Sequence, residues 1–194
     1  MKRFLLLICL PTALAACQTA EPASQPELTR IVAQPTTTRT LIQSPDPNKW
    51  VARNVKDGMV FICRPLSCPR KSAVRVIRSA APSRSIDDEA LRQYAKTVVP
   101  ASVKASSLMM EANSASHETV TMKSSTTTKL RGFPAVIVEV ALIGRGEPRV
   151  GFRAYLFAGN TLIDTYSIST TREVALANLH SFINAYGIVD GPTQ

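Results

Sequence analysis

At 194 residues the chain has room for one domain with a proper core plus a tail. Its 23 lysines and arginines outweigh 14 acidic residues, for a formal net charge of +9. That balance suits anionic partners, such as phosphorylated lipid headgroups or nucleic acid, or else a merely solvated basic surface.

The chain opens Met1-Lys2-Arg3, continues with an apolar run over residues 4–10, and reaches Leu14-Ala15-Ala16-Cys17. A short positive end, an apolar run too short to span a bilayer and small residues before a cut make an export signal. Leu14-Ala15-Ala16-Cys17 resembles the lipobox of bacterial lipoproteins. The resemblance implies diacylglyceryl transfer to the Cys17 sulfur and cleavage before it, so that residues 1–16 are a signal peptide. Several acyl chains then hold the protein on a membrane, since one chain binds only reversibly at about 0.8 kcal/mol per buried methylene. Gln18 in place of Asp implies the outer membrane, with the domain on the periplasmic face. Export makes nucleic acid an unsuitable partner and leaves anionic envelope lipid or polymer, or an envelope protein.

Without residues 1–16 the chain keeps 178 residues, 21 basic and 14 acidic, for a charge of +7. Cys9 leaves with the signal and Cys17 is committed to lipid, so Cys63 and Cys68 remain. An even pair in an exported protein predicts a structural disulfide, here closing a small loop through Arg64, Pro65, Leu66 and Ser67. A thioredoxin-type motif needs two intervening residues, and this one has four. No metal site is expected, because His117 and His180 are remote in sequence.

Residues 17–48 read as the lipidated cysteine and a flexible tether. Pro22, Pro26, Pro35, Pro45 and Pro47 interrupt Ala, Ser, Thr and Gln with no apolar period, and Leu41-Ile42 could dock on the domain. Such a tether reaches roughly 30 Å root-mean-square. A single α+β domain is expected over residues 49–190, beginning near Trp50. Asp57-Gly58 marks a turn. Residues 59–63 and 73–78 read as a hairpin stapled by Cys63 and Cys68. Arg64, Arg70, Lys71, Arg75, Arg78 and Arg84 fall between Asp57 and Asp87 with no acidic residue among them. They form either an anion-binding face or charges that protect a strand edge from aggregation.

Ser85 is expected to cap a helix with Asp87, Asp88 and Glu89 in its first turn, and Pro100 to limit its far end. Ile86, Ala90, Leu91, Tyr94 and Val98 make its apolar face. Residues 101–118 are ambiguous, with a second short helix over 103–110 and a loop over 113–117. From Thr119 the period becomes two, predicting a four-stranded antiparallel meander over 119–129, 135–143, 149–157 and 161–169. Val136, Val138, Val140 and Leu142 share a face. Val150, Phe152, Ala154 and Leu156 point inward, with Arg149, Arg153 and Tyr155 opposite. A closing helix follows, with a capping box at Thr170-Thr171-Arg172-Glu173 and Gly187 as C-terminal cap. Its buried stripe is Leu176, Leu179, Ile183 and Tyr186, and His180 lies at the stripe's boundary.

The element order, with Gly132-Phe133-Pro134-Ala135 entering a long strand, Tyr155-Leu156-Phe157 leading to Gly159, and Ala175, Leu179 and Phe182 on the last helix, resembles the PsbP-like α/β/α sandwich over residues 50–188. The resemblance implies a binding or assembly factor. The Cys63–Cys68 loop and the polar 111–118 segment depart from it.

The sequence holds no Gly-x-Ser-x-Gly elbow, no His-Glu-x-x-His and no phosphate-cradling Gly-rich loop, so neither a catalytic residue nor a cofactor is expected. The leading expectation is a non-enzymatic envelope lipoprotein that binds an anionic component through Arg64, Arg70, Lys71, Arg75 and Arg78, joined by Arg149 and Arg153. The alternatives are a module that recruits an envelope protein, and a hydrolase of an envelope polymer served by His180.

Overall fold

The computed structural model describes residues 39–189, apart from 57, 69, 83–84, 114–117 and 145. Cys17, the expected signal, most of the expected tether, Arg84 and His117 lie outside the described residues. In chain order the elements are β1 (Arg39–Leu41), β2 (Trp50–Val55), β3 (Gly58–Cys63), β4 (Ser72–Ala80), α1 (Asp88–Asn113), β5 (Thr119–Leu130), β6 (Phe133–Ile143), β7 (Arg149–Ala158), β8 (Thr161–Ser169), α2 (Arg172–Ala185) and β9 (Gly187–Val189).

Seven strands make one antiparallel sheet in the order β2-β3-β4-β8-β7-β6-β5, and β1 pairs separately with β9. The expected meander is β5 to β8. The stapled hairpin, β3 and β4, joins it where Ser72–Ala80 pairs along Thr161–Ser169. One helix covers each face, so the α+β architecture is an α/β/α sandwich with two cores. Phe61, Val74, Val76, Phe152, Leu156 and Ile163 pack under Leu179, Phe182 and Ile183 of α2. Val136, Val138, Val140, Tyr155 and Phe157 pack under Leu91, Val99 and Val103 of α1. Both faces of β7 are therefore covered. Tyr155, placed by the alternation on the face opposite Phe152, is 3% exposed because α1 lies over that face.

The sheet also extends past the hairpin. β2 adds an edge strand whose Trp50 meets Phe182 edge-on at 5.0 Å, and Phe61 meets the same ring at 4.8 Å. Such aromatic pairs contribute roughly 0.5–1.5 kcal/mol each beyond area burial.

The helices correct five expectations. α1 runs through Pro100 to Asn113 as one helix. Pro100 leaves the Lys96 carbonyl without its helical donor, but Lys96 is exposed and water can serve it. The buried stripe is Leu91, Val99, Val103 and Ser107, while Ala90 and Val98 are exposed, so the face drifts by one position from the pattern read at the helix start. The cap is Asp87, whose Oδ1 accepts from the Ala90 amide at 2.7 Å.

At α2 the capping box does not form. Thr171 occupies the cap position without a side-chain hydrogen bond, and Glu139 instead takes the Arg172 guanidinium at 3.0 Å. Gly187 opens β9 opposite Leu41 rather than ending the helix.

Candidate ligand groove

α1 packs over β5 and β6 and leaves the same face of β3, β4 and β8 uncovered. Between the helix and those strands runs a groove of about 350 Å³, within the range of small-molecule sites. Val60 of β3, Ala73 and Ile77 of β4, Val103 and Met109 of α1, and Ile168 of β8 line it with apolar surface. These strands alternate strictly, so every second residue faces the groove while its neighbours build the α2 core.

The polar part of the groove comes from the sheet register. Directly paired residues of antiparallel strands share a face. Arg53 pairs with Val60, Val60 with Arg75, Arg75 with Tyr166, and Tyr166 with Arg153. Three arginines from β2, β4 and β7 thus lie on one rung across the sheet. Arg53 and Arg75 are exposed. Arg153 is not: its Nε donates to Asp164 Oδ1 at 2.8 Å and its Nη2 to Oδ2 at 2.5 Å. Burial works against the Arg153 charge, but the Asp164 hydrogen bonds and Coulomb attraction, helped by Tyr155 and Tyr166, more than offset it and raise its pKa. The guanidinium also lies 4.7 Å from the Tyr155 ring centre.

The Tyr166 hydroxyl is buried in this floor and has no hydrogen-bond partner among the described residues. Burial pushes its pKa up, against the weaker downward pull of Arg153 and Arg149. The ring lies over Gly151, where an added Cβ would stand 2.6 Å from Tyr166 Cε2. Behind it, Tyr155 donates to Ser102 Oγ of α1 at 3.2 Å, and Tyr94 packs edge-on against Tyr155 and Phe157 at 5.6 and 5.1 Å. These contacts hold helix to sheet along the closed side of the groove.

The basic residues singled out in the sequence fall in separate places. Arg75 is on the groove rung. Arg78, three residues on, pairs with Ile163 and projects from the opposite face. Arg64, Arg70 and Lys71 surround the loop closed by the Cys63–Cys68 disulfide, at the end of the sheet. Arg149 lies at that same end and is ion-paired with Glu118. His180 is exposed on the outer side of α2. Among the described residues no group of three or more His, Cys, Asp or Glu is placed to hold a metal, and no helix is long and apolar enough to cross a membrane.

Sequence reasoning does not reach Arg53, Asp164 or Gly151. The glycine left one usable signal, since glycine inside a strand often marks a close approach by another group. Arg53 and Asp164 left none, because only strand register brings them to Arg75 and Arg153.

No family model matches the chain, and no curated protein matches it. Among solved structures, the chain is similar to LpqN of Mycobacterium tuberculosis, a protein involved in cell envelope biogenesis, with 13% identity, a TM-score of 0.47, and coverage of 83% of this chain and 88% of that one. It is likewise similar to the cyanobacterial PsbP of Synechocystis, with 14% identity, a TM-score of 0.47, and coverage of 81% and 96%.

Proposed function

We propose that the protein is an envelope lipoprotein, attached through Cys17 to the periplasmic face of the outer membrane, which binds an anionic amphiphile and performs no catalysis. The groove beside α1 takes the apolar body. Arg75 and Arg53 pair with its phosphate or carboxylate, and Tyr166 supplies a donor at the floor. The observation that carries this reading is an apolar groove lined by the exposed Arg75, with exposed Arg53 two strands away on the same rung and a third arginine, Arg153, already neutralised by Asp164. Arginine suits oxyanions because its planar donors bind them bidentately. The lipobox supports the anchor, and the Gln18 rule supports the outer membrane.

Calorimetry with a long-chain alkyl phosphate and the alcohol of the same length tests the reading. The phosphate is expected to bind at least tenfold more tightly. Ala73→Trp, which fills the groove, abolishes binding of both, and Arg53→Gln with Arg75→Gln removes the preference. Equal binding of both probes by wild type, or unchanged binding by Ala73→Trp, overturns it. No binding of either probe leaves a protein segment as the occupant of the groove.

A further inference from the structure

The loop between β3 and β4 goes beyond the groove and does not depend on its occupant. Cys63 and Cys68, 6.2 Å apart at Cα, staple it, and the Ser67 amide donates to the Arg64 carbonyl at 2.9 Å. Leu66 at its tip has a relative exposure of 103%. A single exposed leucine is ordinary on a protein surface, but this one stands at the tip of a disulfide-closed loop, beside basic side chains and close to other exposed apolar residues. Arg64, Arg70 and Lys71 flank it, all exposed, and among the described residues none of them is ion-paired with a carboxylate.

Strand register places other apolar residues at the same end. Ile62 pairs with Ala73, Ser72 with Ser169, Ser169 with Val150, Leu142 with Arg149, and Ile143 with Thr119, so the tips of six strands and the stapled loop share one end of the sheet. Ile143 there is 55% exposed. α1 ends beside it, since Ser107 Oγ accepts from the Val120 amide at 3.0 Å, and the next residues, Leu108 and Met109, are 58% and 67% exposed.

We infer that this end of the domain docks on an anionic lipid bilayer, with Leu66 inserted at the headgroup–acyl boundary and Arg64, Arg70 and Lys71 on the phosphates around it. An apolar tip ringed by basic side chains meets both layers of such an interface, and each basic residue near an anionic surface multiplies the affinity severalfold. The staple keeps the tip ordered beforehand, which lowers the entropy lost on docking. The anchor is compatible with this orientation. β1 pairs with β9 beyond the far end of α2, and any chain of twenty-one residues, the number from 18 to 38, can span at most roughly 70 Å, more than the roughly 30 Å of a nine-residue strand.

The test is the full chain carrying Leu66→Trp, on phosphatidylglycerol and on phosphatidylcholine vesicles. Trp50 is buried and adds a constant background. On phosphatidylglycerol the new tryptophan is expected to shift to the blue and to be quenched by brominated acyl chains, and on phosphatidylcholine to emit as in water. In the Cys17→Ser chain, which carries no acyl anchor, Arg64→Gln, Arg70→Gln and Lys71→Gln together should weaken the titration of phosphatidylglycerol vesicles roughly a hundredfold. Water-like emission on phosphatidylglycerol overturns the inference and points to a protein partner for Leu66. Equal shifts on both lipids overturn the role of the three cations. Flotation with phosphatidylcholine reports the Cys17 anchor separately, so loss of the anchor reading and loss of this one are distinguishable.

Discussion

Arg153 and Asp164 meet side on across β7 and β8, two parallel hydrogen bonds joining guanidinium to carboxylate in the floor of the groove. Their side chains are 17% and 13% exposed, so each charge depends on the other. Asp164→Asn leaves a partly buried guanidinium uncompensated and should cost about 3 kcal/mol, near the lower end for broken buried pairs. Arg153→Met combined with Asp164→Leu should come within about 1 kcal/mol of wild type, because the cost lies in the orphaned charge. Urea denaturation of the two variants decides it. A single mutant no worse than the double would mean that water already serves the pair.

Alkaline pH should unfold the domain cooperatively. Burial raises the pKa of Tyr94 to about 12 and also raises those of Tyr155, Tyr166 and Tyr186, which are all four tyrosines of the chain. Above pH 10 the unfolded chain loses phenol protons that the folded one keeps, so stability is fully present below pH 10 and falls as pH rises toward the folded values. Phenolate absorbance should therefore lag behind free tyrosine and then appear together with loss of circular dichroism. Independent titration of one or more tyrosines near pH 10 with the fold intact would contradict it.

Arg131 closes the far end of α2. It sits in the two-residue turn between β5 and β6 with φ +52°, followed by Gly132 at φ +84°, and its Nη1 donates to the carbonyls of Ile183 and Tyr186. Hydrogen bonds from a charged donor contribute roughly 1.5–3 kcal/mol. Arg131→Ala loses them and keeps the unfavourable φ. Arg131→Gly loses them and relieves the φ. Thermal denaturation should rank wild type above Arg131→Gly, and Arg131→Gly above Arg131→Ala by about 0.5–1 kcal/mol.

Removing the staple should lower stability modestly. On the chain-entropy model a loop this short contributes about 2 kcal/mol, so Cys63→Ser with Cys68→Ser should reduce the denaturation midpoint by that equivalent, as should reductant acting on wild type. Cys63 is also buried in the α2 core, so Cys68→Ser with Cys63→Ala separates the lost crosslink from a buried hydroxyl. An unchanged midpoint would place the stability of the hairpin entirely in the sheet.

Local chemistry carried much of the fold in readable form. Alternation through Val136, Val138, Val140 and Leu142 announces a strand, and two glycine turns place its neighbours, because a meander is built from contacts near in sequence. The cysteine pair is likewise a local pattern, and the order of elements leads to the sandwich that forms. Pro100 misleads because a proline's cost is local, whereas the packing of Val99 and Val103 under which α1 continues is tertiary. The cap at Thr171 misleads for the same reason: Glu139 from β6 reaches Arg172, and Arg131 from a distant turn serves the other end of the helix.

The sequence by itself determined the hairpin, the four-stranded meander, the start of α1, the closing helix, the staple and the basic excess, all of which follow from neighbours a few residues apart. Only the tertiary structure decided where α1 would lie, and so which half of one sheet face stayed open. It alone aligned Arg53, Arg75 and Arg153 on one rung, sent Arg78 to the other face, and gathered Leu66, Ile143 and the end of α1 together. Register and helix placement are set by packing between residues far apart in the chain, and no local pattern contains them.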